Sequence, residues 1–160
     1  MKKNPMHTRR EMLSRSATVA ALLATSGLLP GPARAQAAGY DTAAFDAKSM
    51  AELVKALGAS APVESKDVVL TGPDIAENGA VVPIAAATSL PGVKRMLILV
   101  EKNPAVLSAV FDVTDAVEAN FSTRVKMGQT SNVYAVALMG DGKLLFAQKE
   151  VKVTLGGCGG

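Results

Sequence analysis

Residues 132–155 read NVYAVALMGDGKLLFAQKEVKVTL, and this stretch decides the fold. Its last six residues alternate between polar and apolar side chains, which indicates a strand with one buried and one exposed face. Asp141-Gly142 lies between this strand, Lys143–Leu155, and a second apolar segment, Asn132–Leu138. An Asp-Gly pair between two such segments is typical of a β-hairpin turn. The sequence therefore predicts an antiparallel hairpin whose second strand ends at Leu155.

Five further segments with strand character precede this hairpin, and turn-forming Gly, Pro, Asn or Asp residues separate them. They are Lys66–Thr71, Ala80–Ala87, Lys94–Glu101, Leu107–Val113 and Ala119–Met127. Upstream, apolar residues at helical spacing follow Asp41 or Thr42 and end at Gly58, which predicts one N-terminal helix. Seven short strands at this spacing predict a mainly β fold, an immunoglobulin-like antiparallel β-sandwich.

The sequence after Leu155 is Gly156-Gly157-Cys158-Gly159-Gly160, and Cys158 is the single cysteine of the chain. Glycine lacks the Cβ that restricts the backbone, so residues 156–160 are predicted to form a flexible arm. An extended chain gains at most about 3.6 Å per residue, so Cys158 can project roughly 10 Å beyond Leu155. A thiol on a thin arm suits a carrier of a covalently attached group. Cys158 is then the attachment site, and Gly156, Gly157, Gly159 and Gly160 form the arm.

The first 35 residues have the features of an export signal. Thr8-Arg9-Arg10 precedes an apolar run, Ala17–Leu29, and Ala33-Arg34-Ala35 provides the small residues of a cleavage site. The apolar run is too short for a membrane span. The arginine pair predicts export by the twin-arginine route to the periplasm. The alternative is an ordinary secretory leader that contains two arginines. Residues 36–155 then form the sandwich domain.

Removal of residues 1–35 changes the composition that matters for function. It leaves 11 of the 17 basic and 13 of the 14 acidic residues, a net charge of −2, which does not favour nucleic-acid binding. The single histidine, His7, is also lost. A chain with one Cys and no His cannot supply a Cys/His zinc site, a Ser-His-Asp triad or a Cys-His dyad. This absence excludes most ordinary enzyme classes.

Three segments carry a resemblance to a known family. They are Pro73–Pro83, Arg124–Val133 and Val153–Gly160, the last with the sequence VTLGGCGG. These segments resemble the SoxY family, the sulfur-carrier subunits of the periplasmic SoxYZ complex of bacterial thiosulfate oxidation. The resemblance extends through nearly all of the chain after the export signal.

The resemblance implies a function and a set of partners. A haem-containing SoxAX-type enzyme would join thiosulfate to Cys158, and a SoxB-type hydrolase would release sulfate and leave sulfane sulfur on the carrier. A sulfane dehydrogenase of the SoxCD type, where present, would oxidise that sulfur before further hydrolysis. The carrier would form a heterodimer with a SoxZ-like subunit. It would not itself be an enzyme, and it would hold no metal or cofactor. Apolar residues on both faces of Val81–Ala87 and Val133–Leu138 favour such a partner, unless this chain's own helix and loops cover them.

Other interpretations of the same residues stay open from the sequence. Cys158 can form an intermolecular disulfide, which would make the chain an exported β-sandwich interaction protein or a disulfide-linked dimer. A thiol-disulfide oxidoreductase needs a second, resolving cysteine, which the chain lacks. A metal chaperone would depend on the four methionines outside the leader, which are more typical of packing. The acidic stretch Asp112–Glu118 is either a cation site or, more simply, a solvated turn.

Overall fold

Two β-sheets pack against each other in residues 42–155, the part of the chain that this computed structural model describes. The six-stranded sheet has the order β1-β9-β8-β5-β6, with β3 also paired to β9, and the three-stranded sheet has the order β2-β4-β7. The strands are β1 (Val63–Glu64), β2 (Val68–Thr71), β3 (Ile75–Asn78), β4 (Val82–Thr88), β5 (Val93–Val100), β6 (Leu107–Asp112), β7 (Asn120–Val125), β8 (Ser131–Met139) and β9 (Leu144–Leu155). The predicted immunoglobulin-like sandwich is confirmed.

The hairpin predicted from residues 132–155 forms from β8 and β9. The two strands pair antiparallel from Ser131 opposite Val151 to Leu138 opposite Leu144. Gly142 has a φ of 84°, a left-handed conformation that a residue without Cβ adopts at little cost. All seven predicted strands are present, and none of their ends is shifted by more than two residues.

The apolar core lies in two layers. The first fills the space between the two sheets, where Ile84 of β4 meets Met96 and Ile98 of β5, all at most 1% exposed. The second lies on the other face of the six-stranded sheet and includes Leu97 and Leu99 of β5, which are equally buried. Because β5 is buried on both faces, it needs a continuous apolar run rather than an alternating one.

Two short helices, α1 (Thr42–Asp46) and α2 (Met50–Ala56), form the cover over this second layer. The sequence predicted one helix. The structure has two helices because the Ser49 side chain accepts a hydrogen bond from the Glu52 amide at 3.2 Å. This N-cap begins α2 as a separate helix. The outer face of Val133–Leu138 packs on this layer, so the chain's own helices account for its apolar character. That segment therefore gives no support for a partner subunit.

Two strands were not predicted. The sequence interpretation placed β1 and β3 in loops, but both pair with β9 and run parallel to it, so the sandwich is not wholly antiparallel. After β1 the chain crosses to the three-stranded sheet, where it forms β2. It then returns to β9 as β3, so that β1 and β3 run in the same direction along β9. Each is only two to four residues long, too short to show alternation in the sequence.

The helical cover should contribute strongly to stability. Leu53 is 1% exposed and inserts from α2 into the second core layer. We expect Leu53→Ala to lower the free energy of unfolding by about 2–4 kcal/mol, because it removes buried methyl groups and leaves a cavity. Lys55→Ala, on the exposed side of the same helix, should change it by less than about 0.5 kcal/mol. Chemical denaturation measures both, and equal effects would contradict this description of the cover.

Candidate carrier site

The last strand extends beyond the strand that supports it. β8 begins at Ser131, opposite Val151, so the final four residues of β9 lie past the end of β8. These residues pair instead with β3, where Ile75 lies opposite Lys152, Ala76 opposite Val153 and Asn78 opposite Leu155. The end of β9 is therefore held by a strand that is remote in sequence.

A series of hydrogen bonds fixes this end residue by residue. The Lys152 amide donates to the Asp74 carbonyl at 2.9 Å, and the Val153 amide donates to Thr130 Oγ1 at 3.0 Å. The Thr154 hydroxyl donates to the Glu77 carbonyl at 3.1 Å. Finally, the Leu155 carbonyl accepts from the Gly79 amide at 2.8 Å. The backbone is thus held on to its last described residue.

An ion pair attaches the beginning of β3. Lys149 Nζ lies 2.9 Å from Asp74 Oδ1 and also donates to the Gly72 carbonyl at 2.6 Å. The hydrogen bond from Lys149, followed by its positive charge, holds the pKa of Asp74 below its ordinary value of 3.8. A partly buried lysine on β9 therefore binds the segment that leads into β3.

The predicted site residues, Cys158 with Gly156, Gly157, Gly159 and Gly160, lie outside the described residues. The structure does describe Leu155, the residue that directly precedes them. Leu155 is 70% exposed and stands at the end of β9, beyond β8. Cys158 follows three residues later, so its Cα lies within roughly 10 Å of the Leu155 Cα.

A cleft lies at the other end of the sandwich. An open cleft of about 1,040 Å³ is lined by residues at the end of β4, the start of β5 and the start of β7, among them Thr88, Val93 and Asn120. This is the end of the sandwich where β9 begins. The twelve residues of β9 span about 36 Å, so Cys158 cannot reach the cleft on the same molecule.

The methionines and acidic residues considered as possible metal ligands have structural roles or line the cleft. Met96 and Met127 are fully buried in the core between the sheets. Asp112 accepts a hydrogen bond from Arg95 Nε at 2.9 Å, while Asp115 and Glu118 line the cleft. Within residues 42–155, no group of three or more Asp, Glu, His or Cys side chains is arranged to hold a metal ion. No helix in that part is long and apolar enough to span a membrane.

The sequence predicts where the last strand ends, but not which residues hold that end in place. The sequence predicts turns at Pro73-Asp74 and Asn78-Gly79, with no strand between them. The structure forms β3 there, from Ile75 to Asn78. The Asx-type bond from the Ala80 amide to Asn78 Oδ1, at 2.9 Å, agrees with the turn, but nothing local indicates pairing with a strand 77 residues away.

Comparisons with known proteins add to this geometry. The family model of the sulfur oxidation protein SoxY matches residues 53–158, a range that runs from α2 to Cys158. The solved structure of the sulfur carrier protein SoxY from Chlorobium limicola f thiosulfatophilum is 38% identical, and the match covers 64% of this chain and 93% of that chain with a TM-score of 0.58. A superoxide reductase (neelaredoxin) from Ignicoccus hospitalis is 15% identical over 54% of this chain and 78% of that chain, with a TM-score of 0.48. A search of curated proteins finds no match.

Fold and terminal sequence together define an immunoglobulin-like sandwich that ends in a glycine-flanked cysteine. The family match covers most of the sandwich, and it extends to that cysteine. The chain belongs to the SoxY family of sulfur oxidation proteins.

The attachment of β3 should depend on pH through Asp74. A carboxyl whose pKa is lowered in the folded state stabilises that state above its unfolded pKa, and the contribution disappears as the pH falls through the folded value. Asp74→Asn should therefore lower the thermal midpoint at pH 7, and the difference from wild type should narrow as the pH falls from 5 to 3. Asp115→Asn, in the exposed loop at the other end, serves as the control. A difference that stays constant with pH would contradict this role for the ion pair.

Proposed function

We propose that this chain is a sulfur carrier that holds sulfur intermediates of thiosulfate oxidation on Cys158, while separate enzymes perform the chemistry. One observation carries the proposal: the last strand is anchored up to Leu155, and the sole cysteine follows only three residues later. This gives a thiol a fixed base and a short reach. The family and the 38% identical sulfur carrier protein support the same role.

The proposed chemistry starts with an oxidative conjugation. The Cys158 thiol loses its proton, its sulfur bonds to the outer sulfur of thiosulfate, and an electron pair passes to a SoxAX-type haem enzyme. Water then attacks the sulfonate sulfur in a SoxB-type hydrolase. The bond between the two cargo sulfurs breaks, sulfate and a proton leave, and a persulfide stays on Cys158. Where a SoxCD-type sulfane dehydrogenase is present, it oxidises this sulfane sulfur before a further hydrolysis restores the thiol.

The carrier is not itself an enzyme in this proposal. A free thiol ordinarily has a pKa near 8.5, so most of it is protonated and weakly nucleophilic at neutral pH. No basic residue lies in Gly156–Gly160 to stabilise a thiolate. Activation therefore comes from the pocket of each enzyme, which prevents the cargo from reacting at random.

The proposed companion is a SoxZ-like subunit. Membership of the SoxY family supports it, and one sheet face is available. The outward side chains of the three-stranded sheet are exposed or half-buried, with Val69 51% exposed and Pro83, Ala85 and Ala87 along β4. A second sandwich packed there would bury small apolar side chains that this chain leaves in contact with water.

The proposed location is the periplasm, with export by the twin-arginine route. The support is sequence alone: Arg9-Arg10, the apolar run Ala17–Leu29 and the small residues at Ala33-Arg34-Ala35. These residues lie outside the described part of the chain. An exported thiol would be open to disulfide formation and over-oxidation unless it carried a cargo.

Replacement of Cys158 tests the proposal directly. Cys158→Ser should abolish thiosulfate-dependent electron transfer in a system reconstituted with the partner enzymes, because no other thiol can take its place. Its thermal midpoint should match wild type, since the residue lies beyond the last strand. Gly160→Ser places the same side chain in the arm but keeps the thiol, and should retain activity.

Intact mass of the purified protein provides the second measurement. Adducts of sulfane sulfur, thiosulfonate or sulfonate on the wild type, and none on Cys158→Ser, are expected. Undiminished turnover by Cys158→Ser would overturn the proposal. A wild type found only as a disulfide-linked dimer, without sulfur adducts, would replace it with the interaction-protein alternative.

The glycines of the arm should matter for access rather than for folding. Gly156→Val/Gly157→Val introduces β-branched side chains that favour extended backbone and widen the arm. Turnover with the partner enzymes should fall at least tenfold if the arm enters narrow pockets. The turnover of Gly156→Ala/Gly157→Ala should fall much less. The rate at which iodoacetamide alkylates Cys158 should be similar in the two variants and the wild type. Normal turnover of the valine variant would show that glycine is not required for access.

A further inference from the structure

The short distance between Leu155 and Cys158 restricts where an enzyme can bind. The inference rests on the proposed function, in which several enzymes act on Cys158 in turn. Three residues advance the chain by roughly 10 Å at most, so an enzyme whose catalytic atoms reach the thiol must approach Leu155 closely. If the pocket is several ångströms deep, its rim contacts the sandwich itself. The end of the sandwich around Leu155 therefore meets every such enzyme.

That end carries exposed apolar side chains. Six large hydrophobic residues are exposed in residues 42–155, and three of them belong to β9's end or to the segment Ile75–Val81 that runs beside it. Leu155 is 70% exposed, Ile75 57% and Val81 52%. Ala80 is exposed between them in sequence. Ile75 pairs with Lys152, three residues before Leu155, and so lies on the opposite face of β9. We call the other three residues, Leu155, Ala80 and Val81, the arm-base surface.

Hydrogen bonds hold the arm-base surface in one arrangement. The Gly79 amide donates to the Leu155 carbonyl at 2.8 Å, and the Gly79 carbonyl accepts from the Met127 amide at 2.7 Å. Asn78 Oδ1 accepts from the Ala80 amide at 2.9 Å. A surface that is ordered before binding loses little conformational entropy on association, so even a small apolar contact can contribute to affinity.

We propose that the arm-base surface is a docking site for the enzymes that act on Cys158, and that it is shared by the conjugating haem enzyme and the hydrolase. The arm carries the same few atoms to each enzyme, and glycine offers no side chain for recognition. Specific recognition of the carrier must therefore come from the folded residues beside the arm. The occupant is an enzyme whose pocket is rimmed by apolar side chains that match Val81 and Leu155.

A docking contact has a distinct kinetic signature. It binds the carrier equally well before and during the reaction, so its loss raises KM and leaves kcat nearly unchanged. Loss of the thiol or obstruction of the arm acts on kcat instead. The two roles can therefore be separated in one assay.

The test uses the full-length protein with its companion subunit, and Val81→Ser/Leu155→Ser as the variant. We expect its KM with the haem conjugating enzyme, and with the hydrolase after loading, to rise about tenfold, the effect of losing a central apolar contact of roughly 1.4 kcal/mol. The kcat should stay within about twofold. Val117→Ser, 47% exposed in a loop at the other end of the sandwich, is the matched control and should behave as wild type.

Two further measurements make the outcome decisive. The rate of Cys158 alkylation by iodoacetamide should be the same in variant and wild type, which shows that the arm itself is unchanged. Binding of the companion subunit, measured by size-exclusion chromatography, should also be retained. An unchanged KM, or an equal rise in the KM of Val117→Ser, would overturn the docking site. Turnover that still depended on Cys158 would leave the carrier function intact. Loss of companion binding would assign the surface to the companion instead and equally overturn the proposal.

Discussion

The parallel pairing of β3 with the last four residues of β9 determines where the chain leaves the sandwich. β8 ends its support at Val151, and without β3 the backbone from Lys152 onward would have ladder bonds on neither edge. With β3, successive amides of β9 alternate between two partners: Lys152 donates to Asp74 and Val153 to Thr130. The residue from which the arm starts is therefore part of the hydrogen-bonded sheet.

A short arm on a fixed base limits the reach of the thiol but favours its binding in an enzyme pocket. A longer flexible linker would let the thiol search a larger volume, but its effective concentration in an enzyme pocket would fall with the length of the linker. In the proposed function, three residues would keep that concentration high once the carrier is bound. They would also bring the enzyme against the sandwich, because the thiol lies within roughly 10 Å of Leu155. Delivery by such an arm would depend on contact between folded surfaces, and not on the arm alone.

The sequence predicted those parts of the fold that have a local pattern. Alternation at the end of β9 and the apolar run of β5 each correspond to a burial pattern that one strand shows by itself. β3 has no such pattern, because its four residues acquire their role only from hydrogen bonds to Lys152–Leu155. Periodicity likewise revealed an apolar face on the helix, but not that this face would cover β8. Pairing and coverage are properties of distant segments, and these were the features that sequence reasoning missed.

The position of the helices also limits how partners can share the molecule. α1 and α2 cover the outer face of the six-stranded sheet, so that face is already part of the core. A stable companion of standard size would bury about 800 Å² on this chain. In the proposed function it must also leave Leu155 open, because the enzymes would act on the thiol while the companion is bound. A companion on the face of β2-β4-β7 meets both conditions if it stops short of Val81, where β4 approaches the arm base. In this proposal a permanent partner would occupy a broad sheet face, and transient partners would bind at a narrow end of the same fold.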